Sequence, residues 1–158
     1  MNSDGWLRRF FATDASNSAL LIQRVVLGVV MFPHGAQKVL GWFGGQGFSK
    51  TMETFTMMQF PAPIAFLVII GEFFGALLLI LGLATRLAAF GITLIMLGAI
   101  VLVHAPMGFF MNWHGAKSGE GFEYHLLTLA LGIPLVIWGG GRYALDSMLA
   151  KSSPASKS

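Results

Sequence analysis

Four apolar runs alternate along the chain with short polar or glycine-rich stretches. Each is roughly 20 residues, enough at about 1.5 Å per residue to cross a hydrocarbon core of about 30 Å. The first, Ser18 to Val39, carries Arg24 inside it, Pro33 and His34 in its second half, and Gln37 and Lys38 at its far end. The second runs from the Pro61 and Pro63 pair to Gly82, with Glu72 as its single charge. Proline is tolerated at its start because the first amides of a helix lack partners anyway. The third, Leu87 to Ala105, has no formal charge, and the fourth, Glu123 to Trp138, ends at three successive glycines. The turn Leu83 to Arg86 is short enough to make the second and third helices antiparallel neighbours. Between the first two runs, Phe48, Met52 and Phe55 recur at spacings of four and three. That spacing predicts a short helix over 48–59 lying in the interface, with Lys50 and Glu53 facing water. The expected architecture is all-α, an integral membrane four-helix bundle with short interfacial helices in the outer loops.

Composition supports a membrane domain. Of 158 residues, 55% are hydrophobic and 11% charged, and mean hydropathy is +0.71, more apolar than a soluble core of this length requires. The expected division is a cytoplasmic interfacial N-terminus over 1–17, one membrane domain over 18–150 and a disordered polar tail over 151–158. Trp6, Leu7, Phe10 and Phe11 around Arg8 and Arg9 form too short and broken an apolar region for a secretory signal, so an interfacial amphipathic turn is expected there. The absence of cysteine excludes disulfides, thiolate-held iron–sulfur clusters, covalently attached c-type haem and thiol redox chemistry in this chain. A net charge of +3 with no basic run gives no footprint for nucleic acid, and the partner implied is the lipid bilayer. Arg8, Arg9, Arg86, Arg142, Lys151 and Lys157 fall on one side of the spans, against Lys38, Lys50 and Lys117 on the other. Both termini are therefore expected in the cytoplasm.

A charge at bilayer depth costs at least about 2.5 to 3.5 kcal/mol and calls for a partner. Arg24 lies about 8 Å in from the cytoplasmic end of the first span and Glu72 about 15 Å in from that of the second, so the expected ion pair is Arg24 with Glu72. Gly71 and Gly75 form a small-xxx-small pair that would admit another backbone, and Gly91, Gly98 and Ala105 suggest a close-packing seam on the third helix. His34 comes at about 22 Å with Lys38 a turn above it, while His104 and His125 project near the same outer surface. His114 lies in the loop toward the same side. Pro33 should bend the first helix and release the carbonyl of Val29, opening an outward-facing ligand vestibule. The plainer alternatives stay open: Arg24 with Glu72 as a pair that only fixes register, Gln37 and Lys38 as snorkelling anchors, and the outer histidines as interfacial residues. No two histidines stand at a tight metal-ligand spacing, so no metal site is assigned.

Arg24 followed by LG, then HGAQK, GEFFGALLLILGLATRLAA, EYHLLTLALG and GGGRYALD together resemble the DoxX family of bacterial membrane proteins, over about residues 18 to 150. The resemblance implies a four-helix protein of the bacterial inner membrane, in a family associated with thiosulfate:quinone or quinol oxidoreductase systems and, in some relatives, with quinone and catechol detoxification or thiol-oxidative stress. With no thiol, haem-attachment or nucleotide fingerprint here, electrons would reside on a bound quinone or quinol, on a partner subunit or on histidine-held haem. A quinone site needs an apolar slot, hydrogen bonds to both oxygens and a proton acceptor. On that reading Glu72 and His34 are the candidate catalytic groups, and Arg24, Gln37, Lys38, His104, Glu123 and His125 the candidate ligand-binding set. The competing classes are a non-catalytic scaffold or accessory subunit of an oxidoreductase complex, using the Gly71 and Gly75 face or assembling with copies of itself, and a small-molecule or proton transporter. The lack of an inverted repeat argues against the last.

Overall fold

The structure, a computed structural model, describes residues 11–152 except Lys117. The basic cluster at Arg8 and Arg9, Lys117 and the last six residues of the polar tail lie outside the described residues. The described chain is helical: α1 Ser18–Val39, α2 Gly47–Met57, α3 Ala62–Leu81, α4 Thr85–Ala99, α5 Glu123–Trp138 and α6 Leu145–Ser152. α4 continues through a π turn, Ile100–His104, and a 3₁₀ turn, Ala105–Met107. Three helical stretches are long and apolar enough to cross a membrane, namely α1, α3 and Thr85–Met107. The fourth apolar run, α5, is a shorter helix of 16 residues.

α1 begins at Asn17, whose side chain accepts a hydrogen bond from the Leu20 amide. That bond satisfies one of the first-turn donors left without intrahelical partners. Its buried face is Leu20, Arg24, Leu27, Gly28, Met31 and Gly35, a helical repeat of three and four. This face packs on α3. A Cβ on Gly35 would stand 2.5 Å from the Phe73 Cα, and one on Gly28 2.9 Å from the Ala76 carbonyl oxygen, so the two backbones touch there. The small-residue seam of the fold is therefore Gly28 with Gly35.

The glycines singled out from the sequence do something else. A Cβ on Gly71 would meet the Ile95 side chain and one on Gly75 that of Ile92, with the nearest backbone atom, the Ala88 carbonyl oxygen, at an ordinary 3.8 Å, and Gly91 and Gly98 have open space where a side chain would stand. All four line a groove of about 710 Å³ between α3 and α4, with Phe60, Phe74 and Leu102 also on its walls. The expected close-packing seam on the third helix is thus a furrow.

α3 closes at Gly82, whose left-handed φ of 70° lets Leu83 N–H reach the Leu78 carbonyl and Gly82 N–H the Leu79 carbonyl. α4 starts three residues later, at Thr85, so the two helices are antiparallel neighbours as the short turn required. Its first amides are capped from far along the chain, because the buried Asp146 carboxylate accepts from Ala84 N–H at 2.6 Å and Thr85 N–H at 2.9 Å. The third span departs from a regular helix at Ile100. Pro106 has no N–H and its ring would press on the carbonyl four residues back. The chain widens by one residue, with the Ala105 amide bonding to the Ile100 carbonyl. The interfacial helix forms close to its expected place, Phe48 resting edge-on against Phe66 with ring centroids 6.2 Å apart. Lys50 and Glu53 are exposed on it.

Gly35→Ala should lower stability by about 1 to 3 kcal/mol, because the new methyl meets backbone that cannot rotate away. Asp146→Ala should cost about 1 to 2 kcal/mol through the uncapped start of α4. Equilibrium unfolding in mixed micelles measures both.

Candidate functional site

The ionisable residues separate into two groups at opposite ends of the helices. One lies at the turn end, where α3 meets α4. The other lies at the loop end, beneath residues 105–122.

At the turn end Arg24 is 2% exposed and its guanidinium is surrounded by carbonyls. Nη1 donates to Leu79 and Ile80, both at 2.7 Å, Nε to Gly140 at 3.0 Å and Nη2 to Arg142 at 3.4 Å. Leu79 and Ile80 belong to the last turn of α3, whose carbonyls lack intrahelical partners and carry the negative end of the helix dipole. The ion pair expected between Arg24 and Glu72 does not form. Seven or eight residues separate Glu72 from those carbonyls along α3, about 11 Å, and the arginine extends toward the helix end. Arg86 repeats the device, its Nη1 donating to the Val136 and Ile137 carbonyls at the end of α5 and its Nη2 to the Ala12 carbonyl at 3.0 Å.

At the loop end Glu72 pairs with Lys38, Nζ to Oε2 at 2.6 Å. The Glu72 side chain is 6% exposed and that of Lys38 26%. Sequence alone placed Lys38 as an anchor or ligand contact; its partner is fixed by the α1–α3 contact, since Gly35 touches Phe73 and each charged residue lies within one turn of that point. His34 is exposed one turn before Lys38, near enough for the charges of both Lys38 and Glu72 to act on its ring. Its ring centroid lies 5.7 Å from that of Tyr124, whose hydroxyl is 3.5 Å from the Met31 sulfur. Tyr124 is followed by His125 at 5.6 Å, and His125 by His104 at 4.2 Å. Glu72, His34, Lys38, His125 and His104 therefore form one contiguous cluster, and Tyr124 joins it. The tyrosine went unremarked in the sequence, although a phenol beside a histidine in the first turn of an apolar helix was the available signal.

Three other residues lie outside the cluster. Arg24 is at the opposite end. Gln37 turns away, donating from Nε2 to the Phe43 carbonyl at 3.2 Å and so holding the loop after α1. Glu123 accepts from the Met111 amide at 3.1 Å and the Trp113 indole at 3.2 Å, which pins the long loop to the start of α5. Their roles as ligand contacts are replaced by loop anchoring in both cases. His114 is exposed in the loop. Among the described residues, no three His, Asp or Glu side chains are disposed to hold a metal ion.

The cluster can do acid–base chemistry in an apolar surround. It offers a carboxylate, a cation fixed against it, a phenol and three imidazoles in sequence. The walls between it and the turn end are Leu27, Met31, Ala76, Leu79 and Ile92, all nearly inaccessible.

The family model described as DoxX matches residues 19–105. A Bacillus subtilis protein described as "Putative oxidoreductase CatD" is 30% identical over 131 residues, 83% of this chain and 87% of that protein. An uncharacterized protein of Haemophilus influenzae is 28% identical over 142 residues, 88% of each chain. No solved structure matches the chain at a significant level.

Lys38→Met should destabilise the protein by about 3 to 5 kcal/mol, since it leaves the buried Glu72 carboxylate without its partner, and Glu72→Gln by less, because Lys38 is 26% exposed and reaches solvent. The double variant should lose much less than the sum, while the corresponding cycle of Arg24→Met with Glu72→Gln should be additive within about 0.5 kcal/mol. Unfolding titrations of the four-variant sets distinguish the pairings.

Proposed function

The chain belongs to the DoxX family, and from that premise we propose that it is a membrane component of quinone-linked or phenolic redox chemistry, binding a quinol, quinone or catechol beside Glu72 and His34. The observation that carries this reading is the buried Glu72 carboxylate held by a part-buried Lys38, with an exposed His34 and a part-buried Tyr124 alongside on an otherwise apolar bundle. The oxidoreductase named among its relatives supports the redox class. The proposed topology is a four-helix bundle of the bacterial inner membrane, with α5 as a short fourth span and both termini cytoplasmic, following the distribution of Lys and Arg. This puts the loop end on the outer side.

In this reading Glu72 takes the proton of a phenolic hydroxyl and Lys38 fixes the carboxylate in place through their 2.6 Å contact. His34 and Tyr124 offer hydrogen bonds to the second ligand oxygen from the opposite side. Arg24 has no part in the site. It satisfies the carbonyl ends of the helices, and its effect on function passes through the packing. The bound molecule supplies the redox centre, and the residues of this chain orient it and hold or receive its protons.

A second reading, an accessory subunit of an oxidoreductase complex, is favoured by the open apolar furrow between α3 and α4, where Gly71, Gly75, Gly91 and Gly98 would admit a helix of another subunit. Co-purification of a stoichiometric partner from native membranes, lost when Gly91 and Gly98 are changed to leucine, would support it.

A hydroquinone titrated into the purified protein should bind, with affinity reduced about 10- to 100-fold in Glu72→Gln and in His34→Ala, the effect of losing a hydrogen bond to a charged or buried group. Calorimetry or intrinsic fluorescence measures it. Equal affinity in the native protein and both variants would overturn the site.

A further inference from the structure

A regular helix through the third span would not turn His104 toward the core. The buried positions of α4 are Thr85, Ala88, Ala89, Ile92 and Met96, and that spacing continues inward through residues 99 and 100 to residue 103, seven beyond Met96. The π turn over Ile100–His104 adds one residue, which rotates the chain beyond it by about 100° and brings residue 104 to the inner face instead. His104 then stacks on His125 with ring centroids 4.2 Å apart. Widened turns of this kind recur at functional sites.

Two further features belong to the same pair. His104 Nδ1 stands 2.8 Å from the Glu120 carbonyl oxygen. A carbonyl only accepts, so Nδ1 carries the hydrogen and Nε2 is the basic nitrogen of the neutral ring. His125 is 7% exposed, yet its Nδ1 has no hydrogen-bond partner. A buried nitrogen left unpaired contributes nothing to stability and requires another explanation.

We propose that His104 and His125 are the port through which protons pass between the loop-side aqueous phase and Glu72, by way of Tyr124 and His34. His104 is half-exposed and meets solvent; His125 is buried beside it, 5.6 Å from Tyr124, which stands 5.7 Å from His34. Glu72 lies within electrostatic range of both His34 and Tyr124. The groups facing this path are His34 and Lys38 from α1, Glu72 from α3, His104 from the π turn, Tyr124, His125 and Glu123 from α5, and Glu120 from the loop. A proton taken up at His104 Nε2 is given from that same nitrogen to the unpaired Nδ1 of His125, while His104 keeps its Nδ1 hydrogen on the Glu120 carbonyl, and His125 releases its Nε2 hydrogen onward. The Tyr124 hydroxyl gives its own proton onward as it receives one, and the last transfer, from His34, protonates the Glu72 carboxylate while Lys38 stays an ammonium. The ring centroids along the path stand 4.2, 5.6 and 5.7 Å apart, and the relay requires the Tyr124 hydroxyl to turn from the Met31 sulfur and ring rotation or water to bridge each transfer. Leu27, Met31, Ala76, Leu79 and Ile92 form an apolar core between Glu72 and the turn end, so the charged and imidazole groups of the path all open toward the loop side.

This inference deepens the proposed function, which names Glu72 as the proton acceptor, but its test uses no ligand. After a rapid pH jump on the full-length protein in lipid nanodiscs, the carboxylic acid carbonyl stretch of Glu72 is followed by infrared spectroscopy and assigned by its loss in Glu72→Gln. In His104→Ala and His125→Phe the protonation rate should fall at least tenfold. Forward and reverse rates should fall together, so the titration midpoint stays near its native value. Added imidazole should restore the rate in His104→Ala. Native rates in His104→Ala, or a slow rate that imidazole leaves unchanged, overturn the relay. Should His125→Phe fail to fold, the half-exposed His104→Ala decides alone. Failure of hydroquinone binding with an intact relay would count against the ligand only, and the reverse against the relay only.

Discussion

The arrangement depends on the contact of two helix backbones at Gly35 and Phe73. No side chain other than hydrogen fits between them, so α1 and α3 are held at one height and one rotation relative to each other. Lys38 lies three residues beyond that point on α1, and Glu72 one residue before it on α3. The ion pair is therefore a consequence of the crossing, and the rings of His34 and Tyr124 take their places from the same constraint. A wider crossing would leave a carboxylate alone in an apolar interior, which is among the most expensive states a helix packing can contain.

At the other end, buried and part-buried charges are met by backbone groups at the helix ends rather than by one another. Arg24 and Arg86 each spend a guanidinium on the last-turn carbonyls of a helix, and Asp146 spends a carboxylate on the amides that begin α4. Arginine suits this task because its fork carries several donors in a fixed plane and stays charged when buried. With the turn end closed in this way, the acid–base groups of the loop end are separated from it by an apolar core. The cluster of carboxylate, ammonium, phenol and imidazoles lies at one end and helix-end capping at the other.

Much of the fold was legible in the sequence because apolar run length and proline and glycine placement report directly on helix limits. α1 and α5 have the expected limits, and the interfacial helix and α3 differ from expectation by one or two residues. Lateral relationships were much less legible. Depth along a helix axis fixes height but not azimuth, and Arg24 and Glu72, close in height by counting residues, turn toward different partners. Carbonyl oxygens at helix ends are strong acceptors that no residue type announces, so the true partners of Arg24 were invisible. Glycine spacing showed which faces could approach closely without saying which do, and the seam proved to be Gly28 with Gly35 rather than Gly91 with Gly98. The convergence of His34, Lys38, His104 and His125 on one end was correctly inferred from depth alone. The π turn that aims His104 is explained by Pro106, but only once the inward face of α4 is known.

Solid-state NMR on protein in lipid bilayers, with ¹⁵N in lysine and arginine side chains and ¹³C in glutamate side chains, measures the central contact directly. Dipolar coupling should join the Glu72 carboxyl carbon to the Lys38 ammonium nitrogen, in keeping with the 2.6 Å separation of Nζ and Oε2, and should vanish in Lys38→Met. Coupling of Glu72 to a guanidinium nitrogen of Arg24 instead, or to neither, would contradict the site as described.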